Sequence, residues 1–280
     1  VLKGFCVWLL LLAVIAAPVR ADDKPLVLSS IMPIQLMVAE IGGDAINSDL
    51  LIPPSLSPHD FQLKPSDAQR LREASAVIWV GPAMEPSLRK LLRKLDHATA
   101  LFPVIGHDDD AHVWLDGDKV QQIAHRIAKV LSDKMPIRSA FFHANAARFG
   151  AEFRAYDKQL AADFQRFPPR PYLILHDAFS RFESHYNLPR GAVVMKSDEH
   201  MPGARHVVEL RKRLQAGEFQ CVFREPQYSA SLLQALTADL SVPVIEVDPL
   251  GVERNKADGF LSLYRQLGEA FLRCFRQSGV

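Results

Sequence analysis

Cysteine is scarce in this chain of 280 residues: there are three, and no two of them form a CxxC pair. That excludes the zinc ribbons and fingers held by paired thiolates. No HExxH motif occurs, so the local signature of the common metalloproteases is missing. An excess of one charge is missing too, with 33 Lys and Arg against 32 Asp and Glu. A chain so balanced, with no basic run interleaved with aromatics, has no field to draw in nucleic acid or an anionic membrane. No internal repeat or low-complexity tract is visible.

One uncharged apolar run stands out, Phe5 to Ala17. Lys3 precedes it, and Val19-Arg20-Ala21 places small residues at the −3 and −1 positions before Asp22. This reads as a secretory signal over residues 1–21, cleaved after Ala21. The run is shorter than the roughly 20 residues a membrane span needs. Cys6 leaves with the signal, so Cys221 and Cys274 remain as an even pair in an oxidising compartment.

Hydrophobic residues make up 48% of the chain, enough for a sizeable core. Short runs rich in Val, Ile and Leu suit strands buried on both faces of a parallel sheet. They predict strands at Leu26–Ser29, Asp49–Ile52, Ala76–Val80 and Leu101–Ile105, then at Tyr172–Leu175, Gly191–Met195, Cys221–Phe223 and Val244–Val247. Helical patterns lie between them. One opens at Ser66, with Gln69 three residues on as in a capping box, and another spans His206 to Ala216 and stops at Gly217. The last carries Phe260, Leu263, Tyr264, Leu267, Phe271 and Phe275 on one stripe. A long helix over 137–165 separates the strand groups, striped by Phe149, Phe153, Tyr156, Leu160 and Phe164, and Pro168 and Pro169 end it. The expectation is an α/β protein with two four-stranded, mainly parallel lobes, at 22–136 and 170–280, joined by a connecting helix within 137–169.

Four residues stand where such a fold places ligands, outside the carboxyl ends of strands. His59 follows the second strand, His112 the fourth, His176 ends the fifth and Asp248 the eighth. Two come from each lobe, which fits a cleft between lobes. Three imidazoles and a carboxylate suit tetrahedral Zn²⁺, whereas calcium or magnesium take mostly oxygen. A histidine after a strand also serves to cap a helix or bond a carbonyl, and Asp248 before Pro249 also shapes a turn. Spacing alone leaves both readings open. His97, His125, His143 and His185 sit among charged or mixed residues and are expected at the surface or at caps.

The motifs taken together resemble those of the ZnuA-type zinc-binding proteins of ABC importers, part of a wider cluster that also serves manganese. They run through Ser57-Pro58-His59-Asp60-Phe61, Pro65-Ser66-Asp67, Val80-Gly81-Pro82 and His112-Val113-Trp114-Leu115-Asp116. They continue in His176-Asp177-Ala178-Phe179, Pro202-Gly203-Ala204, Phe223-Arg224-Glu225-Pro226-Gln227 and Asp248-Pro249-Leu250-Gly251. The resemblance implies two lobes, a rigid helix between them and a metal in the cleft held by His59, His112 and His176. Asp248 matches a position that often supplies an oxygen ligand, where water substitutes in some zinc members. Manganese relatives tend to have Glu in place of His176, so the imidazole argues for zinc. Glu225 is implied to support a ligand from behind rather than act as a general base, and Cys221 with Cys274 to form a disulfide. The chain departs from the pattern twice. In place of a long His-rich and acid-rich loop it has only His107-Asp108-Asp109-Asp110, expected to be a solvated acidic turn or, as the alternative, a shortened capture loop. Gly117 stands where proline is usual.

The expected function is the periplasmic zinc-binding component of a zinc ABC transporter. It is a monomer and not an enzyme, and it delivers Zn²⁺ to a membrane permease, with a periplasmic zinc chaperone as a further candidate partner. Three rivals remain: manganese or iron as cargo in the same class, a secreted zinc hydrolase, and a metal-stabilised adhesin.

Overall fold

The protein is described here by a computed structural model that covers residues 24–102, 110–167, 169–195, 202–255 and 257–276. The expected signal over residues 1–21 lies outside the described residues. The first lobe runs β1 (Leu26–Ser29), α1 (Met32–Gly42), β2 (Asn47–Leu50), α2 (Pro65–Glu73), β3 (Ala76–Trp79), α3 (Arg89–Leu92), β4 (Ala98–Ala100) and α4 (Gly117–Lys134). Helix α5 (Ser139–Arg166) leads to the second lobe. There β5 (Leu173–His176), α6 (Ser180–His185), β6 (Ala192–Met195) and α7 (Ala204–Gln215) precede β7 (Val222–Arg224), α8 (Ala230–Thr237), β8 (Val244–Glu246) and α9 (Phe260–Arg276).

Each lobe holds a four-stranded parallel sheet, ordered β2-β1-β3-β4 in the first and β6-β5-β7-β8 in the second. The two lobes thus repeat one topology. In both, the order reverses at the first strand, and the crevice at that switch point is where open α/β sheets bind ligands. The loops that follow the carboxyl ends of the strands in both lobes are therefore the ones of interest.

The lobes share one core. Helix α5 buries Phe142, Ala146, Phe149, Phe153, Leu160 and Phe164, a helical stripe. Helix α9 buries its whole predicted stripe and packs against α5 and α1. Ring contacts join α5 to α9, Phe153 to Tyr264 at 4.9 Å and Phe164 to Phe275 at 5.9 Å, and within the second lobe Phe182 packs on Phe271 at 4.8 Å. Glu40 of α1 accepts from the Phe260 amide at 2.5 Å, docking the start of α9 on the first lobe. A smaller cluster, including Leu175, Leu210, Leu214 and Val222, fills the far side of the second sheet. The Cys221–Cys274 disulfide fastens the residue before β7 to α9. A seam this large and apolar resists wide hinging. None of the described helices is long and apolar enough to cross a membrane.

Three local expectations differ from the structure. Strand β2 begins two residues earlier than its apolar residues suggest, because it is an edge strand with a half-exposed face. Leu51 and Ile52 merely extend its ladder, their amides donating to Ser29 and Ser30. Strand β4 uses Ala98, Thr99 and Ala100 rather than the run from Leu101, of which residues 103–105 lie outside the described residues. Helix α2 starts at Pro65, not Ser66, since proline is pre-organised for the first helical position. Asp67 then reaches back to accept from the Lys64 amide at 3.1 Å, and Gln69 donates to Glu73 instead of capping.

Candidate metal centre

The loops after β2, β4, β5, β7 and β8 converge between the lobes. They enclose a cavity lined by His59, His112 and His176 together with Ser57, Pro58, Met84, Trp114, Glu225, Gln227, Tyr228, Pro249 and Leu250. The ring centroids of His59 and His112 lie 5.5 Å apart, and those of His112 and His176 lie 5.6 Å apart. Imidazoles sharing one tetrahedral zinc at a Zn–N distance of about 2.1 Å would have centroids about 5 Å apart. The free space between them is about 10 Å³, room for an ion or a water and not for an organic substrate.

Two of the three rings are backed by carboxylates. His176 ends β5 and is 6% exposed, and its Nδ1 lies 2.7 Å from Oε2 of Glu225, a fully buried residue just past β7. The other Glu225 oxygen accepts the His176 amide at 3.4 Å. His112 is 8% exposed, and its Nδ1 lies 2.8 Å from Oδ1 of Asp110, which also accepts the His112 amide at 2.9 Å. A carboxylate beside Nδ1 favours the tautomer with its proton on that nitrogen and the lone pair on Nε2, the arrangement common behind metal-bound histidine. Burial pushes the Asp110 carboxyl up, but the bonds from the His112 ring, Ser180 and the His112 amide outweigh it, with the His112 charge, and hold it at about 2. It is therefore an anion at neutral pH.

Asp110 is neither a solvated turn nor a free capture arm, as the acidic run had suggested. His107 to Asp109 lie outside the described residues. The signal for its role was its place two residues before His112. Glu225 lies behind His176, one of the expected ligands. Tyr228 packs at a tilt against His176, with centroids 5.0 Å apart, and Trp114 against His112 at 5.4 Å, so both rings are walled by aromatics. The Trp114 indole also donates to the Pro249 carbonyl at 2.9 Å across the cleft.

Asp248 is placed differently from the histidines. It is 3% exposed and does not line the cavity. Its Oδ1 accepts from Gln227 at 2.9 Å and from the Leu250 and Gly251 amides at 3.0 and 2.8 Å, and its Oδ2 from the Val252 amide at 2.5 Å. Those four donors make it the organiser of the loop after β8. Gln227 in turn donates to the Pro54 carbonyl of the first lobe at 3.1 Å.

Of the remaining histidines, His125 and His143 are exposed as expected. His97 contacts the Leu71 carbonyl at 2.9 Å. His185 is not a simple surface residue. It lies on Gly117, where a Cβ would sit 2.3 Å from its ring, so any side chain at 117 would require the imidazole to shift. Asp116, Asp118 and His185 each bring a ligand atom within 4.8 Å of the others. However, His185 Nε2 meets Asp157 at 2.8 Å and Nδ1 faces Asp118 at 3.7 Å. Burial lowers the His185 pKa, but the Asp157 bond and the charges of Asp157, Asp118 and Asp116 outweigh it and raise it. Both ring nitrogens of His185 thus already face carboxylates, so the cluster is tied up in its own hydrogen-bond and ion-pair network.

Fold and cavity together define a two-lobed α/β protein whose interlobe pocket is lined by three histidines and has room for a single ion. The comparisons with known proteins make the assignment specific: residues 27–274 match the family described as zinc-uptake complex component A, periplasmic (ZnuA), and the chain belongs to it. It is 29% identical over 290 residues to the high-affinity zinc uptake system protein ZnuA of Yersinia pestis, covering 89% of this chain and 91% of that protein. A putative metal-binding protein of Thermotoga maritima is 29% identical over 253 residues, covering 89% of this chain and 92% of its own. A crystal structure of ZnuA superposes with a TM-score of 0.78 at 25% identity, covering 91% of this chain and 99% of that one. The periplasmic zinc-binding protein TroA from Treponema pallidum shares the fold, with a TM-score of 0.80 at 19% identity over 90% of this chain and 99% of its own.

Proposed function

We propose that this protein captures one Zn²⁺ in the periplasm and delivers it to the membrane permease of an ABC importer. The observation that carries the reading is the convergence of three imidazoles from two lobes on a cavity of single-ion size, two of them backed by carboxylates. His59, His112 and His176 are the proposed ligands. The fourth position falls to Asp248 or to water, and the four donors already on Asp248 favour water. The cavity that the three histidines line is itself of single-ion size, which supports binding and delivery over hydrolysis. His176 supports zinc over manganese, because imidazole is the softer donor. Export by the apolar run at Phe5–Ala17, action as a monomer and loading by a periplasmic zinc chaperone belong to the same proposal.

Each ligand must be deprotonated, so affinity falls as pH drops. Calorimetry of zinc on metal-free protein is the test. The expected result is one saturable site per chain, lost in His112→Ala. Absence of a saturable site near one zinc per chain would sink the proposal, and preference for manganese in direct competition would favour the manganese reading.

A further inference from the structure

The segment that carries His112 is gripped from the other lobe. Ser180, the first residue of α6, donates to Oδ2 of Asp110, whose Oδ1 holds the His112 ring. Arg181, 8% exposed, donates from Nε to the Asp110 carbonyl at 2.8 Å, and its Nη2 reaches the same oxygen. The Arg181 Nε also lies 3.7 Å from Asp110 Oδ2, and Nη1 lies 3.6 Å from Oδ2 of Asp116. Asp116 is the N-cap of α4, accepting the Asp118 amide at 3.0 Å. One guanidinium therefore spans both ends of the stretch from Asp110 to Asp116, with His112 between them. The planar fork of arginine suits this use, since it meets a carbonyl and two carboxylates at once where an ammonium would act as a point charge.

The same short segment carries a second ligand. His176 ends β5, and Ser180 and Arg181 follow four and five residues later. A displacement of α6 relative to the first lobe would move His176 directly and would also release Asp110 from behind His112. We infer that Arg181, with Ser180, is a positioning residue that makes the ligand quality of His112 depend on contact between the lobes. The inference rests on the reading of His112 as a ligand. It gives the permease a way to weaken the site by a small shift at α6, with no wide hinge motion.

Zinc affinity measured by chelator competition tests this in Arg181→Met, Ser180→Ala, Asp110→Asn and the Asp110→Asn/Arg181→Met pair. Histidine ¹⁵N shifts of the metal-free proteins are recorded alongside. The expected result is an affinity loss of about tenfold or more for Arg181→Met and a smaller loss for Ser180→Ala. The His112 Nδ1 and Nε2 shifts should move toward a tautomer mixture, and Arg181→Met should add little to Asp110→Asn, because both act through one contact. Wild-type affinity with unchanged His112 shifts in folded variants overturns the inference, as does simple additivity in the cycle. Should Arg181→Met fail to fold, Ser180→Ala decides by its affinity and shifts. A wild-type protein without a zinc site, or one indifferent to His112→Ala, refutes the proposed function instead.

Discussion

Replacing Glu225 by Gln isolates what a carboxylate behind a ligand contributes. The substitution keeps the shape of a fully buried side chain and removes its charge. With the charge goes the anionic partner 2.7 Å from His176 Nδ1, which makes Nε2 a better donor to a cation. Groups in this position affect metal affinity by about 10–100-fold. Taking the lower bound, at a zinc concentration of about 100 times the wild-type Kd, bound metal stabilises the wild type by about 2.7 kcal/mol. A tenfold weaker site at the same zinc gains only about 1.4 kcal/mol. For a chain of this size the zinc-induced rise in Tm should shrink by roughly 3–5 °C. The metal-free protein should not suffer in parallel, because a neutral amide is cheaper to bury than a carboxylate. Paired melts with chelator and with zinc, together with a competition titration, give both numbers. Zinc affinity within threefold of wild type would refute the argument that Glu225 tunes His176. An equal loss of stability with and without metal would reduce its role to packing.

Asp248→Asn separates ligand from loop organiser: zinc affinity should stay within about threefold while the fold loses about 1–3 kcal/mol in denaturant titrations, and a loss of affinity beyond tenfold would make the carboxylate a ligand. Burial pushes the Glu85 carboxyl up to about 7, against the lowering bonds from Ser30, Gly81 and Val80. A carboxyl raised in the folded state stabilises it most below the unfolded value near 4.5, and that contribution is lost as pH rises through about 7, a change of about 3 kcal/mol. Glu85→Gln should flatten this part of the pH–stability curve, and an unchanged slope between pH 4.5 and 7 would contradict it. Reduction of Cys221–Cys274, which closes a loop of 53 residues, should lower stability by about 4 kcal/mol on the chain-entropy estimate, read as a shift in the denaturation midpoint with and without reductant.

What the sequence discloses follows from how each feature is encoded. Strands β1, β3 and β5 are buried on both faces, so they appear as apolar runs and are found nearly to the residue. The edge strand β4, made of half-buried Ala98, Thr99 and Ala100, has no such run and is displaced in the reading. His59, His112 and His176 are visible because parallel topology fixes where strand ends gather, and a histidine there is informative in one dimension. Their orientation is not. Asp110 meets Ser180 across 70 positions, and Glu225 meets His176 across 49. No periodicity links such pairs, since each exists only once two loops are brought together. Arg181 carries no local signal, and it is a buried guanidinium between lobes. The meeting of these three histidines is therefore set by topology, which a sequence displays. The contacts behind them, Glu225 on His176 and Ser180 on Asp110, join segments far apart in the chain, which only the folded chain displays. If His112 is held in part from α6, binding and release need not be two shapes of the whole molecule. One short helix docked or displaced is enough to change the affinity of a site whose ligands scarcely move.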